Sequence, residues 1–363
     1  MKIRPVNKSL PARPVSVIIA AHNESSNLRK HIPAVLSLQY PDFEVIVVLD
    51  RSDDDSKAYL DGIGDRRLRV LEITETPPGW SPKKWALTAG IREAANEHLA
   101  FTDADCQPGP GWLEEINRCF TGKTELVLGL SPYFVFPGWL NRLIQFETTY
   151  AVFQYIGLAV RGLPYMGVGR NLAYTRTFFE KNGGFEAFRQ RLSGDDDLLV
   201  NAYAIPETTG VMIAREGLVY SDPKQTWKAW FRQKLRHVSS SSGYSAKTKI
   251  ILGIFHLSHA GFYLFGGFVL ANDLTGWPFF ALYIIRIFIS GVLRSILGES
   301  WGSVVSGIIL FWIFCFYLHH QPFQLTNQKA SMDLNTQSSK IRKKTAILWR
   351  QRKEESRMHS DFA

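Results

Sequence analysis

Residues 15–24 read Val15-Ser16-Val17-Ile18-Ile19-Ala20-Ala21-His22-Asn23-Glu24. A short apolar run rich in β-branched residues predicts a buried strand over Val15 to Ala20, and a helix follows from Glu24 to Leu38. The same alternation repeats downstream. Val45 to Leu49 and Leu68 to Ile73 read as strands, Lys84 to Asn96 has helical spacing, and Leu99 to Thr102 is a further short strand ending at Asp103. Strands alternating with helices predict an α/β fold with a mostly parallel sheet that binds ligands at its carboxyl edge. No internal repeat is visible.

The chain has 363 residues, 45% hydrophobic and 21% charged, enough for a packed core and unlike a disordered protein. Three isolated cysteines predict a reducing compartment rather than a disulfide scaffold. Residues 1–14 carry Lys2, Arg4, Lys8 and Arg13 without an apolar run, so no signal peptide or N-terminal anchor is expected. The net charge of +9 is concentrated at the end: residues 329–363 hold nine Lys/Arg against four Asp/Glu. That tail follows a hydrophobic third of the chain and reads as a patch for anionic headgroups; no nucleic-acid partner is expected. Ile250 to Ala271 lacks Lys, Arg, Asp and Glu and has the length to cross a bilayer. Trp277 to Leu293 is apolar but holds Arg286, and Gly302 to Leu318 is again uncharged. The expected organisation is an N-terminal extension (1–14), an α/β catalytic domain (15–247), a membrane region of two or three helices (248–320) and a basic cytoplasmic tail (321–363). With domain and tail both on the cytoplasmic side, the crossings must be even in number. Trp227 to His237 is basic, aromatic and amphipathic and reads as an interfacial helix. Trp139 to Val160 reads as a core helix or one lying against lipid.

Three acidic sites fall where such a sheet would present ligands. Asp50 closes the second strand, where a carboxylate can accept hydrogen bonds from a nucleoside; Asp53 to Asp55 read as a solvated, helix-capping turn. Asp103 and Asp105 flank Ala104 past a buried strand, a costly pair unless a cation compensates it, and hard divalent ions prefer such oxygens. Ser193-Gly194-Asp195-Asp196-Asp197 crowds like charges that raise one another's pKa, which suits a general base. Lys83, in Gly79-Trp80-Ser81-Pro82-Lys83-Lys84-Trp85-Ala86-Leu87, offers a counter-charge for a diphosphate. No P-loop, dinucleotide-binding glycine pattern or zinc spacing is present. Gly167-Val168-Gly169-Arg170-Asn171 is glycine-rich but stands well after the first strand.

In order and spacing, this set resembles the family 2 glycosyltransferases of GT-A fold, in their membrane-bound branch. The match runs from about Val15 to His237 and on into the hydrophobic segments. It rests on Val17 to Glu24, Asp50, Asp103-Ala104-Asp105, Gly194-Asp195-Asp196 (similar to the family's Gly-Glu-Asp) and Gln233-x-x-Arg236-His237 (similar to Gln-x-x-Arg-Trp). The resemblance implies an inverting, metal-dependent hexosyltransferase that uses a nucleotide sugar, with a lean to uridine. It implies that Asp50 contacts base or ribose and Lys83 lies near the diphosphate. Asp103 and Asp105 hold Mg²⁺ or Mn²⁺, with Asp105 the direct ligand. Asp196 is the base with Asp195 beside it, and Gln233 and Arg236 face the diphosphate or acceptor. The implied acceptor is a lipid or lipid-linked sugar, and the implied place is the bacterial inner membrane with the catalytic domain in the cytoplasm. Where the family's polymerising members stack a Trp on the growing chain, this sequence has His237, which weighs against a processive polysaccharide synthase. Gly79 to Leu87 looks like members that glycosylate hopanoid, carotenoid or ceramide-type lipids. A catalytically silent membrane-tethered GT-A scaffold is the non-enzymatic alternative, and the intact set of carboxylates argues against it.

Overall fold

The structure, a computed structural model, describes residues 11–271. Four strands come first: β1 (Val15–Ala21), β2 (Phe43–Asp50), β3 (Leu68–Ile73) and β4 (His98–Phe101). They are joined by the helices α1 (Ser25–Leu36), α2 (Ser56–Asp61) and α3 (Pro82–Glu93). There follow β5 (Cys106–Pro108), α4 (Trp112–Cys119), β6 (Leu126–Leu128) and the long α5 (Trp139–Val160). A 3-10 turn over Gly169–Asn171 leads into β7 (Leu172–Thr175), α6 (Arg176–Lys181), α7 (Asp197–Tyr203) and β8 (Thr209–Val211). β9 (Val219–Ser221), α8 (Trp227–Ser241) and α9 (Ala246–Ala271) complete the described chain.

The main sheet has the order β3-β2-β1-β4-β7-β6-β8, and β5 pairs with β9 in a separate two-stranded ladder. β3, β2, β1 and β4 run parallel, as expected from the βαβ pattern. The expectation of a mostly parallel sheet needs correcting beyond them, because β7 runs antiparallel to both β4 and β6. The cause is topological: the Gly169–Asn171 turn delivers the chain to the carboxyl end of β4, where Leu172 pairs with Phe101, so β7 can only run back.

Both faces of β1 and β2 are covered. Val17, Ile18, Val45, Ile46, Val47 and Val48 are all fully buried, which is why these strands read as unbroken apolar runs. Ile18, Ile46 and Val48 join one core with Leu87 and Ile91 of α3 and Tyr155 of α5. Val17, Ile19, Val45 and Val47 join the other with Leu28 and Ile32 of α1 and Trp112 and Ile116 of α4. Each such side chain contributes roughly 1.5–3 kcal/mol. Pro82 opens α3 at its first turn, where its missing N–H costs nothing. Gly90 lets α3 lie close on the sheet: a Cβ there would sit 2.8 Å from Ile18 Cγ2.

α5 is a core helix along much of its length, burying Leu143, Ile144, Phe146, Tyr155 and Ala159. α8 is tied to it by an ion pair between Lys234 and Glu147, and α9 by a 3.2 Å hydrogen bond between His256 and Gln154. Among the described residues no helix is long and apolar enough to cross a membrane. Among the described residues the expectation that Ile250 to Ala271 spans a bilayer finds no support. The helix that contains it starts in Ala246-Lys247-Thr248-Lys249 and carries His256 and Ser258 within its apolar stretch. The segments Trp277 to Leu293 and Gly302 to Leu318, the basic tail and residues 1–10 lie outside the described residues.

Candidate active site

The carboxyl edge of the parallel strands gathers the predicted acids. Asp50 is the last residue of β2 and is buried. Its two oxygens accept from Arg51 Nε (2.8 Å) and Nη2 (3.0 Å), and Arg51 adopts a left-handed φ of 49°. The Asp50 carbonyl lies 2.6 Å from His22 Nδ1; a carbonyl can only accept, so that nitrogen carries the proton. The N-cap residues of α1 and α2, Glu24 and Asp55, make no side-chain cap, contrary to the capping expectation; instead Asp54 accepts the Ser25 and Ser56 amides, and Asp55 binds the Ser25 hydroxyl and Arg29. One strand, β1, separates Asp50 from β4, so Asp50 and Asp103 lie about 10 Å apart along the edge.

A second group forms one cavity. Lys83, Thr102, Asp103, Gly169, Tyr174, Asp195 and Asp196 line a space of about 10 Å³, room for roughly one water. Lys83 Nζ lies 2.9 Å from Asp103 Oδ1 and 3.0 Å from Asp195 Oδ2, joining two of the acidic sites through one cation. Asp196 is fixed at the start of α7, where Oδ1 accepts the Asp197 amide at 2.7 Å and Oδ2 accepts the Gly169 amide at 2.6 Å. Asp197 faces away from the cavity chemistry and serves the fold. It is buried, and its Oδ2 accepts from Ser240 Oγ (2.5 Å) and Tyr244 Oη (2.7 Å), tying α7 to the end of α8. Three successive aspartates thus divide into an ion-paired carboxylate, a capping carboxylate at the cavity and a structural anchor.

The electrostatics separate the same residues. Burial, then the charges of Asp195 and Asp197, push the Asp196 carboxyl up to about 7. Burial opposes charge on Asp195 too, but Lys83 outweighs it and holds that carboxyl below its ordinary value. Lys83 is itself held well above its ordinary value: burial works against its charge, and Asp103, Asp195 and Asp196 prevail. These neighbouring carboxyls are shifted in opposite directions, so they differ in proton affinity.

Asp103, Asp105 and Cys106 can each bring one atom within 4.8 Å of the others. The two carboxylates suit a hard divalent cation. The thiol does not: burial raises the Cys106 pKa well above its usual value, so it stays protonated, and its Sγ donates to Asp105 Oδ1 at 3.4 Å. Thr102 Oγ1, buried beside Asp103, has no hydrogen-bond partner among the described residues. A metal held by Asp103 and Asp105 fits this donor set.

Gln233 Nε2 donates to Tyr133 Oη at 3.3 Å, at the edge of the site. Arg236 is exposed on α8 and makes no ion pair among the described residues. Two contributors carry no signal in the sequence. Lys84 is fully buried and donates to the carbonyls of Arg191 (2.6 Å) and Ser193 (2.8 Å), holding the loop ahead of Asp195. Asn171 is buried: it accepts from Trp112 Nε1 and donates to the carbonyls of Leu130 and Gly217, stapling the turn that presents Gly169 to Asp196. An Asn and a second Lys form no pattern from which sequence could assign these partners.

Residues 16–183 match the family model Glycosyl transferase family 2, a span that holds Asp50, Lys83, Asp103 and Asp105. The chain is 25% identical over 360 residues to the Bacillus subtilis protein named probable glycosyltransferase YdaM, covering 91% of this chain and 77% of that one. It is 32% identical over 127 residues to the glycosyltransferase AglE of Haloferax volcanii, covering 34% of this chain and 40% of that one. Among solved structures it is similar to the mannosyltransferase PcManGT of Pyrobaculum calidifontis, determined with GDP-Man and Mn²⁺. The TM-score is 0.52 at 17% identity, over 85% of this chain and 90% of that one, a likeness of fold. Residues 16–183 thus resemble a glycosyl transferase family 2 domain, and the chain has a GT-A-like α/β fold with a mixed central sheet.

Proposed function

We propose that this protein transfers one sugar from a nucleotide-sugar donor, a uridine nucleotide in the first instance, to a lipid or lipid-linked acceptor at the cytoplasmic face of a membrane. The carrying observation is the convergence of Asp103, Lys83, Asp195 and Asp196 on one cavity at the carboxyl edge of the sheet. In this reading Asp50 accepts from the nucleoside once Arg51 releases it. Asp103 and Asp105 hold Mg²⁺ or Mn²⁺, and when bound that ion would stabilise negative charge on the leaving diphosphate. Lys83 leaves its carboxylate partners for the diphosphate. Asp196 takes the acceptor hydroxyl's proton as that oxygen bonds to the anomeric carbon. The bond from that carbon to the diphosphate oxygen breaks in the same displacement, with inversion, and the nucleoside diphosphate departs. The upward shift brings the Asp196 carboxyl toward neutral pH, where a general base works best.

Support for a lipid-side acceptor comes from apolar residues left exposed: Val135, Phe136 and Trp139 ahead of and at the start of α5, and Trp227 at the start of α8. Lys228, Arg232 and Arg236 add positive charge on the exposed part of α8, the composition of a surface that rests on anionic headgroups. The test is incubation of membranes containing the full chain with a panel of labelled UDP- and GDP-sugars, followed by lipid extraction and thin-layer separation. One-sugar product in the lipid phase is expected. Label only in a long water-soluble polymer, or nowhere, would overturn the reading.

A further inference from the structure

Arg170 is a cation in the site that the proposed transfer leaves without a role. Its guanidinium is half-buried, and among the described residues it makes no ion pair. Its hydrogen bonds go to neutral oxygens: Nη1 donates to Ser221 Oγ, and Nη2 to the Ser131 carbonyl at 3.3 Å. One face lies over the Tyr133 ring, 4.4 Å from the centroid, and the Tyr133 hydroxyl accepts from Gln233. Ser221 pairs with Cys106 in the β5–β9 ladder and Cys106 follows Asp105, so the guanidinium is anchored beside the candidate metal ligands. The next residue, Asn171, is stapled by three buried hydrogen bonds, and the previous one, Gly169, holds Asp196. Arg170 is thus locked in place rather than free to leave.

A guanidinium partly withdrawn from water and without an ion-pair partner is costly. The acids in its field are Asp103 and Asp105, which a divalent cation would claim. With that cation bound, Asp103 and Asp105 are neutralised, the charge of Arg170 itself is left uncompensated, and an anion is needed to balance it. A guanidinium with unused N–H groups, its face covered by an aromatic ring, suits the oxygens of a phosphate. We propose that Arg170, oriented by Tyr133 and Ser221, is a phosphate-binding group beside Asp105 for the donor diphosphate or for a phosphate on the acceptor. The proposal deepens the nucleotide-sugar reading and rests on it for the ligand's role, though not for phosphate binding itself.

The test compares full-length wild type with Arg170→Gln and Arg170→Lys by calorimetry in Mn²⁺, titrating pyrophosphate, UDP, GDP and a short-chain polyprenyl phosphate, with near-UV circular dichroism as the folding check. Arg170→Gln is expected to weaken at least one of these about tenfold or more, and Arg170→Lys, which keeps charge without the planar fork, about threefold. A loss for pyrophosphate and nucleotide places the group at the donor. A loss confined to polyprenyl phosphate places it at the acceptor. Wild type that binds pyrophosphate but no nucleotide, with the binding lost in Arg170→Gln, keeps the phosphate group and removes the nucleotide-sugar reading. Affinities equal in wild type and Arg170→Gln, or no binding of any of these anions to wild type, overturn the proposal. Should Arg170→Gln fail to fold, unchanged affinity in Arg170→Lys overturns it.

Discussion

Asp196 shows how one side chain is set by its surroundings. Its two oxygens accept backbone amides, which favours charge, yet burial and the flanking Asp195 and Asp197 raise its pKa to about 7. Asp196→Asn keeps the shape and removes proton acceptance, so turnover should fall by about 10²–10⁴-fold while nucleotide affinity persists. In wild type, kcat/KM should fall tenfold per pH unit on the acid side of a midpoint near 7. Normal turnover by Asp196→Asn would move the base elsewhere. The same shift has a stability consequence. The folded value lies above the ordinary 3.8, so the folded protein holds an extra proton between about pH 4 and pH 7, and that stabilisation is lost as pH rises through the window. Thermal unfolding of Asp196→Asn should therefore gain on wild type from pH 5 to pH 8; parallel curves would contradict the buried, crowded carboxyl. Asp105→Ala should weaken Mn²⁺ binding, read by the paramagnetic resonance of free Mn²⁺, without unfolding the chain. Full transfer activity in excess chelator would remove the metal assignment.

At the scale of elements, the turn before β7 brings separate parts of the chain to one place. Gly169 reaches Asp196 and Arg170 reaches Ser221, while Asn171 reaches Trp112, Leu130 and Gly217. Asn171→Ala leaves one indole N–H and two carbonyls buried without this partner, at about 1–3 kcal/mol each. A loss of about 3 kcal/mol or more in urea unfolding is expected, together with lower turnover because Asp196 loses a fixed amide. A change below about 1 kcal/mol would show that water replaces the amide there. Gly194 is a second point of strain: its φ is +93° and an added Cβ would lie 2.4 Å from Leu198 Cδ1, so the loop that Lys84 clamps accepts only glycine there.

At the scale of the whole molecule, hydrogen bonds tie the α/β fold to residues on either side of position 247. Asn201 of α7 donates to Thr248 Oγ1 at 3.0 Å, and Tyr244 holds Asp197, so the first turns of α9 belong to the α/β domain. A chain ending after Leu257 should fold and bind nucleotide with Mn²⁺ at wild-type affinity, while one ending after His237 should lose stability because Asp197 loses both hydroxyl partners. The Leu257-terminated chain should also lose most transfer to lipid in vesicles containing anionic phospholipid. Undiminished transfer by that chain would argue that residues beyond 257 serve neither acceptor access nor membrane contact.

Local pattern was enough for the elements whose partners are near in sequence. Unbroken β-branched runs could only be strands covered on both faces, and the helices between them forced β1 to β4 into parallel order. The acids that end those strands, Asp50 and Asp103, were legible for the same reason, since position in a parallel strand dictates which end meets the ligand. What followed residue 105 was not legible that way. The antiparallel return of β7, the separate roles of Asp195, Asp196 and Asp197, the clamp by Lys84 and the placing of Arg170 all depend on contacts between residues 27 to 112 positions apart. Side-chain chemistry alone permits many partners at such separations. Burial selected among them, because a charge or amide taken out of water must be paired, and the closed structure offered each of these groups one set of neighbours within reach.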